Sequence, residues 1–202
     1  MTLWAVSSLL CCKVGGSPDE CSIRWNSDTG VTAVQMLLRF AMRTEQNQGV
    51  EAALRWIADI LNARNVPFQI VGGLAARAYG ATRQINDIDL YAPASELRSV
   101  LELIEPFVTR PLAHYHDQHW DLVFMRLEYG GQPIEIAVGD DAKYRDSRLG
   151  EWHDAAVDYA ASERLNVLGV DVPVIPRHQL LSYKRRLDRT VDRADVDEII
   201  GG

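Results

Sequence analysis

The chain has 202 residues, of which 47% are hydrophobic and 24% charged, and it carries a net charge of −7 at pH 7. This composition is typical of a soluble globular protein and excludes a disordered or fibrous chain. The negative charge argues against a surface built mainly to bind nucleic-acid backbones, because such surfaces need clustered Lys and Arg.

Residues 1–49 show no sustained periodicity, and the run Gly15-Gly16-Ser17-Pro18-Asp19 interrupts any regular element. We expect an extension that is either poorly ordered or, over residues 36–42, a short helix packed on the domain. The apolar run over residues 3–12 is too short to cross a bilayer. It also has no basic residue ahead of it, as a secretory signal needs, so we expect a cytoplasmic protein.

The three cysteines, Cys11, Cys12 and Cys21, all lie in this extension. Their position excludes a cysteine nucleophile and a zinc–thiolate site from the rest of the chain, and their spacing does not indicate a disulfide framework.

From Val50 the pattern becomes regular. Apolar residues at helical spacing predict a first helix that Asn65 and Pro67 end: Leu54, Ile57, Ala58 and Leu61. Residues 68–71 then predict a buried strand, followed by the turn Gly72-Gly73 and a short helix over residues 74–79. The next predicted strand covers residues 87–91.

Further along the chain, residues 95–104 predict a helix that Ser95 caps. Residues 120–127 and 133–138 predict a hairpin, because Gly130-Gly131 suits a tight turn. Residues 151–161 resemble a helix, and residues 167–175 a small hairpin. We therefore expect an α/β (α+β) domain over residues 50–175, with a small mixed sheet flanked by helices, and a short C-terminal helical segment over residues 176–202.

Two carboxylates share one face of the strand at residues 87–91. Asp87 and Asp89 are one pleat period apart, while Ile88 and Leu90 take the other face. Carboxylates this close repel each other, and a divalent cation with oxygen ligands relieves the repulsion. The upstream glycines, Gly72 and Gly73, allow a phosphate to approach the backbone at the start of a helix. Together these features favour a metal and phosphate site.

A further carboxylate lies on a later predicted strand. The neighbours Ile134 and Ile136 place Glu135 on the polar face of residues 133–138. Three other acidic residues lie near it in sequence: Asp121, Asp140 and Asp141.

The segment VGGLAARAYGATRQINDIDLYAP resembles the signature of the nucleotidyltransferase superfamily related to DNA polymerase beta. The likeness is strongest to the small aminoglycoside and lincosamide nucleotidyltransferases and to nucleotidyltransferase toxins of abortive-infection systems. Such proteins carry a third acidic residue on a later strand, and Glu135 is favoured for it because it lies on the polar face. The matching positions are Gly72, Gly73, Arg83, Asp87, Asp89 and Glu135. The tail SYKRRLDRTVDRADVDEI places Lys184 where such proteins have a lysine near the triphosphate. The superfamily's frequent Gly-Ser is Gly-Gly here, which removes a hydroxyl contact to phosphate.

The resemblance implies an enzyme that binds two Mg²⁺ ions through Asp87, Asp89 and Glu135 and transfers NMP from an NTP to a hydroxyl group. Gly72, Gly73, Arg83 and Lys184 would bind the NTP. The expected acceptor is a small molecule such as an aminoglycoside or a lincosamide-like compound, with no membrane and no general DNA binding. Alternatives are a protein or tRNA acceptor, or NTP binding without chemistry.

Simpler interpretations remain for Arg83, Lys184 and a cluster of histidines. Arg83 is also compatible with a solvated loop cation, and Lys184 with a charged helix face. The cluster His114, His116 and His119 lies on a Pro-flanked stretch that we read as a loop, and its spacing matches no zinc signature.

Overall fold

The computed structural model describes residues 33–202. The three cysteines and the apolar run over residues 3–12 therefore lie outside the described residues. Phe40–Gly202 form one compact unit. The unit before it is described over residues 33–39, which are helical. No helix within residues 33–202 combines the length and the apolar character that crossing a membrane requires.

The elements alternate between helices and strands in the first half of the chain. Helix α1 (Ala33–Ala63) precedes β1 (Gln69–Ile70), α2 (Gly72–Ala78) and β2 (Ile88–Ala92). Two short helices, α3 (Ala94–Leu97) and α4 (Leu101–Ile104), and a 3₁₀ turn (Glu105–Phe107) follow. The second half consists of strands and then two helices: β3 (Val108–His116), β4 (Trp120–Tyr129), β5 (Gln132–Val138), β6 (Lys143–Arg145), β7 (Trp152–Asp154), β8 (Glu163–Val167), β9 (Val170–Val174), α5 (Arg177–Leu187) and α6 (Thr190–Gly201).

The nine strands form one mixed sheet in the order β7-β6-β4-β5-β2-β1-β9-β8, with β3 paired to β4. The pairs β2–β5 and β1–β9 are parallel, and the remaining pairs are antiparallel. The expected α+β architecture with C-terminal helices is confirmed.

One face of the central strands builds the core. Ile88 and Leu90 of β2 and Ile134 and Ile136 of β5 are almost fully buried with the apolar face of α1. Because successive side chains of a strand point to opposite faces, Asp89 and Glu135 lie on the other face of the sheet. The burial that stabilises the domain thus also fixes where the acidic residues point.

Helix α1 begins at Ala33, well before Val50, and runs past residue 50 without a break. The boundary expected at residues 49 and 50 therefore falls inside this helix. The first part escapes a periodicity analysis because its apolar side chains, such as Leu38, Phe40 and Met42, are exposed and form no stripe.

Three local predictions are wrong. Residues 95–104 form two short helices, and Pro93 takes the N-cap position expected for Ser95. Residues 151–161 contain β7, which pairs with β6, so tertiary pairing overrides the local helical pattern. The presumed histidine loop is largely strand, because His114 and His116 belong to β3.

Candidate active site

The acidic residues meet on adjacent central strands. Asp89 of β2 lies directly opposite Glu135 of β5 in the parallel pair. Asp87 immediately precedes β2, and the charges of Asp87 and Glu135 both act on Asp89. The structure therefore brings together the three carboxylates that the sequence singled out.

Asp89 is difficult to ionise in this setting. Desolvation, the largest cause, and the neighbouring charges of Asp87 and Glu135 together raise the pKa of Asp89 to about 7. The cations Lys184 and Arg189 act in the opposite sense but do not compensate. A site that holds several carboxylates against their repulsion is chemically suited to a hard divalent cation with oxygen ligands.

Two of the other candidates for the third carboxylate, Asp121 and Asp140, are engaged elsewhere. The Asp121 carboxylate contacts His114 at 2.6 Å and His116 at 3.6 Å. The Asp140 carboxylate accepts a hydrogen bond of 2.9 Å from the backbone N–H of Ala94. Glu135 is the candidate that lies in register with Asp89.

Glu135 is itself held by a cation. Arg126 of β4 lies opposite Glu135, and its Nε and Nη2 both donate to Oε1 of that carboxylate, the first at 2.9 Å. Within residues 33–202, no three His, Cys, Asp or Glu side chains converge in a ready metal-ligand geometry. The ion pair with Arg126 explains why Glu135 does not converge with the two aspartates, since it turns one oxygen of the Glu135 carboxylate toward β4.

Glycines let side chains approach the first turn of α2, to which Gly72 and Gly73 belong. Gly72 has φ +63°, and a Cβ there would lie 1.9 Å from Oδ2 of Asp89. A Cβ on Gly73 would lie 2.2 Å from Nη2 of Arg83. The diglycine thus accommodates a carboxylate and a guanidinium against the backbone, and a side chain at either position would force these groups to shift.

A buried ion network lies behind this turn. Asp195 contacts Arg83 Nε and Lys184 Nζ, each at 2.8 Å, through its two different oxygens. Asp192 contacts Lys184 at 3.2 Å and Arg189 at 2.6 Å. The network links the loop before β2 to both C-terminal helices.

Lys184 is only 1% exposed, so the reading of it as part of a solvated helix face is wrong. Burial opposes ionisation of Asp192, but the hydrogen bond and charge of Arg189 and the charge of Lys184 outweigh it and lower the pKa of Asp192. The part of Asp192 and Asp195 in the site was not predicted from the sequence. Their i,i+3 spacing on α6, which places both on one helix face, was the available signal.

A cavity of about 290 Å³ adjoins the acidic residues. Val71, next to Gly72, and Tyr91, two residues after Asp89, line it together with Tyr144, Tyr183 and Arg186. Burial raises the pKa of the Tyr91 and Tyr183 hydroxyls, so both remain neutral. This cavity was not predicted from the sequence, because its walls come from segments more than 100 residues apart.

No protein-family model and no curated protein sequence matches this chain. Solved structures do. TM1012 from Thermotoga maritima, whose assignment as a nucleotidyltransferase is provisional, is 20% identical with a TM-score of 0.58, over 75% of this chain and 92% of that one. The lincosamide antibiotic adenylyltransferase LnuA, solved with lincomycin bound, is 16% identical with a TM-score of 0.51, over 74% and 96% of the two chains. The resemblance to nucleotidyltransferases is thereby confirmed at the level of the fold.

Proposed function

We propose that this protein is a Mg²⁺-dependent nucleotidyltransferase that moves NMP from an NTP to a hydroxyl group of a small acceptor. The observation that carries the proposal is the placement of Asp89 opposite Glu135, with Asp87 close enough to raise the pKa of Asp89. Repelling carboxylates packed close together destabilise a fold unless a ligand uses them.

The three carboxylates would hold the metal. Asp87 and Asp89 would supply ligands for a first Mg²⁺, and Glu135 would join them in holding a second. When bound, the ions neutralise phosphate charge and lower the pKa of the acceptor hydroxyl. Both Arg126 hydrogen bonds go to Oε1 of Glu135, so Oε2 remains for a cation or for the acceptor proton.

The diglycine turn and Arg83 would bind the phosphates. Gly72 and Gly73 present backbone without side chains beside Asp89, and the Arg83 guanidinium lies over Gly73. Arg83 remains 28% exposed although it pairs with Asp195, which leaves its outer face for a phosphate oxygen. Lys184 contributes its buried positive charge near Asp89.

The cavity beside Val71 and Tyr91 would take the nucleoside. Its volume approaches the range of small-molecule sites, and its aromatic walls suit a planar base. With the nucleoside there and the phosphates at the turn, the acceptor oxygen attacks the α-phosphorus. The bond from that phosphorus to its bridging oxygen breaks, and pyrophosphate leaves with the electron pair.

Label transfer tests the proposal directly. Purified protein is incubated with Mg²⁺, each α-labelled NTP and a panel containing lincomycin, tobramycin, tRNA and cell lysate. We expect label on an acceptor with the wild type and none with Asp87→Asn or Asp89→Asn. Asp59→Asn, at an exposed position of α1, is the control and should retain transfer. Transfer that persists in both active-site variants would remove the metal mechanism.

A further inference from the structure

A row of four charged side chains crosses the sheet from the acidic pair outward. Asp89 is in register with Glu135, Glu135 with Arg126, and Arg126 with Arg110 of β3. Partners directly opposite each other lie on the same face, so the row runs from two carboxylates to two arginines. With adjacent strands ~4.8 Å apart, it extends ~14 Å from Asp89.

The outer arginine is held against aromatic rings. The Arg110 guanidinium carbon lies 4.0 Å from the centroid of Phe124 and 5.4 Å from that of Tyr115. These two rings meet edge to face at 5.5 Å. Arg110 Nη1 is shielded from solvent yet has no hydrogen-bond partner within residues 33–202.

The outer end of the row has no carboxylate of residues 33–202 paired with Arg110. Two arginines directly opposite each other destabilise a sheet, and only Arg126 has a carboxylate, that of Glu135. A shielded cationic donor without a partner carries a desolvation cost. An anion bound beside Arg110 would satisfy the donor and relieve the repulsion.

The position of the row matches the acceptor side of the proposed reaction. In the proposed function the phosphates bind at Gly72 and Gly73, on the β1 side of Asp89, whereas Glu135 lies on its β5 side. In-line displacement puts the attacking oxygen opposite the leaving pyrophosphate, which is the side of Glu135. The acceptor therefore extends over β5, β4 and β3, where residues 111–116 are exposed.

We propose that Arg110, Phe124 and Tyr115 bind an acceptor that carries a phosphate beside a planar ring, the chemistry of a nucleotide unit. A guanidinium binds phosphate by charge-assisted hydrogen bonds, and exposed aromatic rings stack on bases. This inference rests on the proposed nucleotidyl transfer and narrows its acceptor. Once cations neutralise the three carboxylates, this surface repels a polycationic aminoglycoside.

Equilibrium binding tests the surface without requiring transfer. The protein is loaded with Mg²⁺ and an α,β-methylene NTP analogue, which fills the nucleotide site. A fluorescent oligoribonucleotide with a free 3′ end is then titrated by anisotropy, with UMP and tobramycin as competitors. Competition by UMP indicates a free nucleotide as the source, and binding of the oligoribonucleotide alone indicates an RNA end; both outcomes support the proposal.

Matched variants locate the binding. Arg110→Gln should weaken probe binding by about tenfold or more, the effect of losing a charge-assisted hydrogen bond. The probe affinity of Arg110→Lys should lie between those of the wild type and Arg110→Gln, since lysine keeps the charge but lacks the planar group. Arg164→Gln makes the same charge change on exposed β8, at the opposite end of the sheet, and should change binding less than twofold.

The inference is overturned if Arg110→Gln binds the oligoribonucleotide as tightly as the wild type does. It is also overturned if tobramycin binds more tightly than both UMP and the oligoribonucleotide. Its failure is distinguishable from that of the proposed function. Transfer to an acceptor regardless of Arg110 would leave the enzyme standing without this surface. Arg110-dependent binding with no transfer from any NTP would leave the surface standing without the enzyme.

Discussion

Gly72 approaches Asp89 so closely that a Cβ on Gly72 would lie 1.9 Å from the Oδ2 atom of that carboxylate. Its φ of +63° also lies in the left-handed region, which costs ~1–2 kcal/mol for a residue with a side chain. We expect Gly72→Ala to displace the Asp89 carboxylate, abolish Mn²⁺ binding measured by calorimetry, and lower Tm.

Gly130 provides the matched control for that substitution. It has φ +58°, and a Cβ there would meet nothing within 4 Å. Gly130→Ala should lower Tm through the same backbone strain while Mn²⁺ binding is unchanged. Equal Mn²⁺ affinity in both variants would show that the contact with Asp89 has no role in the site.

The raised pKa of Asp89 predicts a pH-dependent gain in stability for Asp89→Asn. Without metal, the folded protein keeps the Asp89 proton up to about pH 7, whereas the unfolded chain loses it near the ordinary value of 3.8. Wild-type stability therefore falls as pH rises between these values. In metal-free buffer, Asp89→Asn should have a higher Tm than the wild type at pH 8, and the difference should vanish below pH 4.

Asp59→Asn removes an exposed carboxylate from α1 and should show no such pH-dependent difference. Adding Mg²⁺ at pH 8 should raise the Tm of the wild type and so narrow its gap to Asp89→Asn. A gap that is constant from pH 4 to pH 8 would contradict the electrostatic explanation.

Glu135→Gln should separate binding from chemistry. Because Glu135 lies opposite Asp89, loss of its charge removes a metal ligand or base while Asp87, Asp89 and the diglycine turn remain. We expect turnover to fall by ~10²-fold or more with NTP affinity nearly unchanged. Glu128→Gln, on neighbouring β4, is the control, and turnover equal in the two variants would remove Glu135 from the reaction.

Removal of the buried Lys184 cation should destabilise the fold strongly. Lys184→Ala leaves Asp192 and Asp195, which are 0% and 1% exposed, without one of their cations. Breaking a buried pair in this way typically costs ~3–5 kcal/mol, measured here by urea unfolding. Lys143→Ala breaks an exposed pair with Asp154 and should cost at most ~1 kcal/mol. A small loss in Lys184→Ala would mean that water enters the network.

The acidic cluster was predictable because its cause is local. Strand alternation alone places Asp87 and Asp89 opposite Ile88 and Leu90, and the flanking isoleucines do the same for Glu135. The turn glycines are equally local, since the required φ is a property of one residue. These features need no knowledge of the remaining chain.

The partners of these residues were not predictable, because they depend on strand register and helix docking. Arg126 reaches Glu135 across a hairpin register, and Asp195 meets Arg83 across 112 residues. The strand β7 exists only because β6 is beside it. The first part of α1 carries exposed apolar side chains, so no amphipathic pattern predicts that helix before Val50.

The stretch of α1 before Val50 supports the loop that carries Arg83, which gives a last prediction. Gln46 Nε2 donates to the carbonyl oxygen of Ile85 at 3.0 Å, and Arg43 donates to that of Thr82. A chain starting at residue 40 should keep the Tm and NTP affinity of the full chain. A chain starting at residue 50 should lose both in part, because the loop loses its two donors.

Point substitutions in the full chain test the same contact. Gln46→Ala should lower the free energy of unfolding by ~1 kcal/mol, whereas Gln48→Ala, at an exposed position of the same helix, should not change it measurably. If the chain starting at residue 50 matches the full chain in both measurements, the domain begins at Val50 after all, as periodicity alone predicts.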